Sequence, residues 1–91
     1  MLLKWTSKSL SDVARLHAFL AEVNPAAAGR IVRSLTAASS GLLITPRIGE
    51  RLNEFNPREV RRIIAGQYEM RYEVQNDALY ILRIWHTREQ R

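Results

Sequence analysis

The sequence predicts an α+β domain in the order β-α-α-β-β-β, a helical hairpin packed on one face of a small, mainly antiparallel sheet. Three observations carry that prediction. Apolar residues recur at helical spacing through two consecutive stretches, residues 10–23 and 28–42, broken only by Asn24-Pro25. Tyr68, Met70, Tyr72 and Val74 alternate strictly with Glu69, Arg71, Glu73 and Gln75, the pattern of a half-buried strand. The run Leu79–Trp85 is apolar at nearly every position, as in a strand buried on both faces.

In chain order, Leu2–Trp5 is a short opening strand that survives only by joining the later sheet. The helix after it has two candidate caps, Ser7 and a Ser9–Asp12 capping box, and runs to about Val23. Leu10, Val13, Leu16, Leu20 and Val23 form its apolar stripe, which Ala14 and Phe19 widen. Asn24 is a good N-cap and Pro25 fits a first helical position, so the second helix begins at once and runs to about Leu43. Its stripe is Ala28, Ile31, Val32, Leu35, Ala38 and Leu42, and so short a link makes the two helices antiparallel neighbours.

Residues 45–58 contain two prolines and no sustained period, and read as a loop held down by Ile48, Leu52 and Phe55. Val60–Ala65 then pairs with Tyr68–Gln75 through Gly66-Gln67, which places Arg61 and Ile63 on the face of Tyr72. Asn76-Asp77 makes the second turn, since both residues tolerate positive φ. Two loop residues there would set Ile81, Arg83 and Trp85 on the Tyr72 face; three would set Tyr80, Leu82 and Ile84 there. The second register buries no arginine and is preferred. It leaves Arg62, Arg71, Arg83 and Trp85 together on the face away from the helices.

Ninety-one residues make a single domain spanning 1–91, with roughly 60–65% of the unfolded surface buried, too thin a core for a deep catalytic cavity. The absence of cysteine excludes a disulfide frame and thiolate metal sites, and no metal constellation or cofactor motif is present. No apolar run nears membrane-spanning length, and no signal peptide opens the chain, so the expected location is the cytoplasm. The net charge of +5 favours acidic partners. The charge is dispersed, with five basic against two acidic residues before position 46 and nine against seven after it. A disordered nucleic-acid-binding arm is thereby excluded.

Two histidines are present. His17 lies beside the first helical stripe and reads as a boundary residue. His86 ends the last strand among Arg83, Thr87 and Arg88, where an imidazole could serve as a general base or a phosphate contact. The arginines of the sheet face could bind phosphate or RNA, or could pair with Glu69 and Glu73 as solvated ion pairs.

The order of elements, together with Trp5-Thr6, Asn24–Ala28, Pro46–Gly49, Val60–Arg62, Tyr68–Val74 and Tyr80–His86, resembles the ParE/RelE toxin superfamily of bacterial toxin–antitoxin systems. The resemblance covers almost the whole chain. RelE-like members cleave mRNA on the ribosome, and in that branch Arg61, His86 and Arg88 would be the catalytic candidates. That branch typically carries arginine where this chain has Glu69, and a tyrosine beyond the last strand where this chain has none. The pattern is more similar to ParE, whose members inhibit DNA gyrase by binding and need no catalytic group and no cofactor. The resemblance then implies a target-binding surface of Arg83, Trp85, His86, Thr87 and Arg88. It also implies a ParD-like antitoxin, whose helix would meet Leu16, Phe19 and Val23 and through which alone operator DNA is contacted.

Overall fold

The computed structural model describes residues 1–89 and has the expected architecture, with one strand more. The elements are β1 (Leu2–Trp5), α1 (Ser7–Val23), α2 (Pro25–Gly41), β2 (Glu50–Arg51), β3 (Glu59–Ala65), β4 (Tyr68–Val74) and β5 (Ala78–His86). They form a five-stranded sheet in the order β1-β5-β4-β3-β2, antiparallel except where β1 runs parallel to β5. The helical hairpin covers one face. Leu16, Leu35 and Leu42 pack there on Tyr68, Met70, Tyr72, Leu79, Ile81 and Ile84.

The added strand replaces part of the expected loop. Glu50 and Arg51 pair with Arg62 and Arg61, and both are exposed, so no apolar alternation marks them in the sequence. Ile48 does not hold this segment down, being 68% exposed. The anchor is Tyr72, whose hydroxyl donates to Pro46 O at 2.8 Å and accepts from Gly49 N at 3.0 Å. Gly49 is required at that contact: a Cβ there would lie 2.6 Å from both Arg62 O and the Tyr72 hydroxyl.

Both helix starts use side-chain oxygens. Asn24 caps α2 as expected, accepting from Ala27 N, with Pro25 next. For α1 the cap is Thr6, one residue before Ser7 and three before Ser9; its Oγ1 accepts from Ser9 N and donates to Ile81 O and Leu82 O. Ser9 and Asp12 are not a capping box but are buried inside the helix. α2 ends at Gly41, short of the expected Leu43. The α1 stripe is narrower than its sequence suggests, because Leu10, Phe19 and Val23 stand 56%, 70% and 85% exposed.

The first hairpin has the expected register, Ala65 opposite Tyr68, with Gly66 at φ 63°. The second contains both registers. Nearest its turn, Ile81 faces Tyr72, contrary to the preferred alignment; beyond a bulge at Leu82, Ile84 faces Met70, as that alignment requires. The bulge buries Ile81 and Ile84 together while Arg83 stays on the open face, which neither regular ladder achieves. The Asn76-Asp77 turn closes through Gln75 N to Ala78 O at 2.9 Å without positive φ.

Candidate functional site

The candidate site is a trough between α1 and the far end of the β4–β5 ladder, built from residues far apart in sequence. Arg15, Leu16 and Phe19 on α1 form one wall; Tyr68, His86 and Arg88 form the other. It encloses about 650 Å³ and is mostly apolar. It continues past Leu20 and Gln67 into a groove of about 410 Å³ beside Ile31 and Leu35 of α2. The helical spacing of residues 16, 19, 20 and 23 turns this edge of α1 towards the sheet end. Leu16 belongs to the core at 6% exposure, so of the three antitoxin candidates only Phe19 and Val23 present substantial apolar surface.

His86 is fixed on three sides. Its Nε2 meets Gln67 Oε1 at 3.1 Å, its Nδ1 accepts from Arg88 N at 3.1 Å, and its ring stands edge-on to Tyr68 at 5.3 Å. Those partners suit a neutral imidazole with the proton on Nε2. Burial pushes the Tyr68 hydroxyl pKa up, and the Glu89 charge adds to the rise, so Tyr68 stays a neutral phenol. Thr87 N donates to Gln67 O, which draws the strand exit back onto the β3–β4 turn. Thr87 and Arg88 are exposed, and no carboxylate pairs with the Arg88 side chain among the described residues.

The other target-binding candidates lie on the open face. Arg62, Arg71 and Arg83 stand in one cross-strand row, the grouping that sequence anticipated. Trp85 is only 7% exposed and lies against the guanidinium carbons of Arg71 at 4.8 Å and Arg83 at 5.1 Å; Arg71 also covers Phe55 at 5.3 Å. Trp85 therefore offers little surface to a macromolecule. Carboxylates engage the row: Arg62 meets Glu50 and Glu69, Arg71 meets Glu69, and Arg83 meets Asp12. The row is thus ion-paired, but not as the solvated Glu69 and Glu73 pairs expected: Glu69 is buried, Glu73 pairs with Arg58 outside the row, and Glu50 and Asp12 supply the other carboxylates.

Arg61 is separated from His86. It faces Tyr72, bonded to Glu59 at 2.8 Å and to Gly49 O at 2.7 Å. Four residues along the sheet and two strands across put it roughly 16 Å from His86. The trio Arg61, His86 and Arg88 is not assembled; only His86 and Arg88 are together.

Sequence reasoning missed Asp12. It was placed in a capping box, whereas its carboxylate accepts from Ile84 N at 2.9 Å and from Arg83 Nε at 2.8 Å. Its burial at 5% exposure is the signal, and no local pattern announces it. Arg15 and Glu89, paired at 3.1 Å across the trough mouth, were likewise not singled out. Among the described residues no group of side chains is placed to hold a metal, and no helix is long and apolar enough to cross a membrane.

This geometry has close counterparts. The family model for the ParE toxin of the type II toxin–antitoxin system parDE matches residues 3–91. Toxin RelE2 of Caulobacter vibrioides is 30% identical over 83 residues, covering 91% of each chain. Toxin RelE1 of the same organism is 37% identical over 82 residues, covering 88% of this chain and 86% of that one. The solved chromosomal ParDE system of P. aeruginosa superposes with a TM-score of 0.79 over 94% of this chain and 95% of that one; at 22% identity it shows the shared fold. With a family model matched along nearly its whole length, the chain belongs to the ParE toxin family of type II toxin–antitoxin systems.

Proposed function

We propose that this toxin acts by binding DNA gyrase and inhibiting it, without catalysis of its own, in the cytoplasm, and that a ParD-like antitoxin holds it silent. One observation carries the non-enzymatic reading: the sheet arginines are committed to carboxylates. Cleaving a phosphodiester by in-line attack needs cations gathered on the scissile phosphate beside an acid and a base. Here Arg61, Arg62, Arg71 and Arg83 are held by Glu59, Glu50, Glu69 and Asp12, and His86 has Gln67 and a backbone amide as its partners. What remains displayed is a recognition surface, with Arg88, Thr87 and the rim of His86 at the end of the trough.

The trough suits an amphipathic helix, the partner expected of an antitoxin. Such a helix would lay its apolar face against Phe19, Leu20 and Val23, and Arg88 at the rim favours an acidic residue beside it. Operator DNA is then reached through the antitoxin.

The test is topological. Purified toxin incubated with gyrase, relaxed plasmid and ATP should abolish supercoiling and leave linear, enzyme-linked DNA. Full supercoiling at micromolar toxin sinks the reading.

A ribosome-dependent mRNA endonuclease is the second reading. It is favoured by the RelE names of the two curated relatives and by the position of His86, beside Tyr68 and Arg88 in an open groove. It requires His86→Ala to abolish growth arrest in a folded protein. Retained arrest excludes it.

A further inference from the structure

The outer edge of β5 is covered in two different ways. β1 pairs with it only as far as Ile81, opposite Trp5. Beyond the bulge the outward-facing amides are those of Ile84 and His86, and no strand among the described residues reaches them. Each donates instead to a side-chain carboxylate: Ile84 N to Asp12 Oδ2 at 2.9 Å, and His86 N to Glu89 Oε1 at 3.0 Å. Arg15 joins the two carboxylates, 3.1 Å from Glu89 and 3.8 Å from Asp12, and Arg83 grips Asp12 from the open face. Alternate amides of one strand edge are thus satisfied by two acids that one arginine holds in line, in place of the carbonyls of a neighbouring strand.

We infer that Asp12, Arg15 and Glu89 form a side-chain substitute for a further strand, and that they are positioning residues which hold residues 84–88 in the pose used for target contact. The inference rests on the reading that this end of β5 meets the target. Structural economy alone does not call for such a device. An exposed strand end can leave its last amides to water, and the burial of Asp12 has a desolvation cost that its bonds to Ile84 N and Arg83 must offset. What the arrangement secures is the direction of the strand exit. The His86 ring, Thr87 and Arg88 follow directly from an Ile84 amide bonded to Asp12 of α1 and a His86 amide tied to α1 through Glu89 and Arg15, so the recognition end and the helix that lines the trough move as one body.

The test uses the full chain, labelled with nitrogen-15, with growth arrest on induction as the functional readout because it reports toxicity whichever target is involved. Glu89→Ala removes the acceptor, Arg15→Gln removes its holder, and Glu89→Gln keeps an acceptor without the charge. Glu89→Ala should speed amide exchange at His86 roughly ten- to hundredfold and leave Ile84 protected. Melting should stay within about 4 °C of the parent, since the pair sits at the surface. Toxicity should fall in step with His86 exchange, Glu89→Gln should recover part of both, and Arg15→Gln added to Glu89→Ala should speed His86 exchange no further. Unchanged His86 exchange in Glu89→Ala, or full toxicity despite faster exchange, overturns the inference. Additive losses of His86 protection in the double variant overturn the joint action of the pair. A wild-type chain that arrests growth but leaves gyrase untouched refutes the gyrase reading alone, since exchange and arrest still decide the latch.

Discussion

Tyr72 and Tyr68 lie on the same strand and the same face, four residues apart, and do opposite work. Tyr72 is fully buried, and its hydroxyl is satisfied twice by the backbone of the 46–49 segment. Tyr68 borders the trough and meets the His86 ring edge-on. The Tyr72 end is a plug that closes the sheet over Gly49; the Tyr68 end is left open and lined for a visitor. A small domain can keep an apolar trough at one end only if its packing is secured at the other.

Substitutions that distinguish the two ends should differ most at Gly49. Gly49→Ala sets a Cβ against backbone and a buried hydroxyl that cannot retreat, and should destabilise by about 3 kcal/mol in a denaturant titration. Tyr72→Phe should cost about 1–3 kcal/mol, because Gly49 N and Pro46 O are left unpaired. If either is neutral, the plug is not where the stability resides.

Acidification probes the same end. The Arg58 hydrogen bond holds the Glu73 carboxyl below its usual value near 4.5, more than offsetting the upward push of burial. Burial also pushes Glu59 up, but hydrogen bonds from Arg61 and Arg47 outweigh it and hold the group low. Both groups bind protons less readily folded than unfolded. Their contribution is therefore present above pH 4.5 and is lost as pH falls through the folded values. Melting temperature should fall on acidification below that point, and less steeply in Glu73→Gln.

The smallest stability effect belongs to the trough. Phe19→Ala and Val23→Ser should change stability by no more than about 0.5 kcal/mol, both side chains being largely exposed. Antitoxin affinity measured by calorimetry should nonetheless drop at least about tenfold for Phe19→Ala. Equal affinity would remove α1 from the antitoxin interface.

Much of the fold was legible because it is periodic. The Gly66-Gln67 turn and the Asn24-Pro25 junction each state their geometry locally. The alternation of Tyr68–Val74 states a strand but not its burial: the second face is not wet as expected, since Glu69 and Glu73 are buried there. The misses are non-periodic or remote. β2 is two exposed residues with no pattern to read. Asp12 sits where a capping box would place it, and only a contact 72 residues away shows its use. The two halves of the candidate site, Phe19 and His86, were each noticed from sequence. That they face one another across one trough depends on where α1 crosses the end of β5, which neither stretch encodes by itself.

Leu82 has a consequence of this kind for design. Removing it would leave the cross-strand partners on either side in register with one another, Tyr72 with Ile81 and Arg71 with Arg83, as a plain ladder. The residue is thus dispensable for pairing. What it supplies is a joint: the extra unit bends and twists the strand beyond it, aiming Arg83–His86 at the flank of α1. A shortened chain would keep its partners and lose its aim.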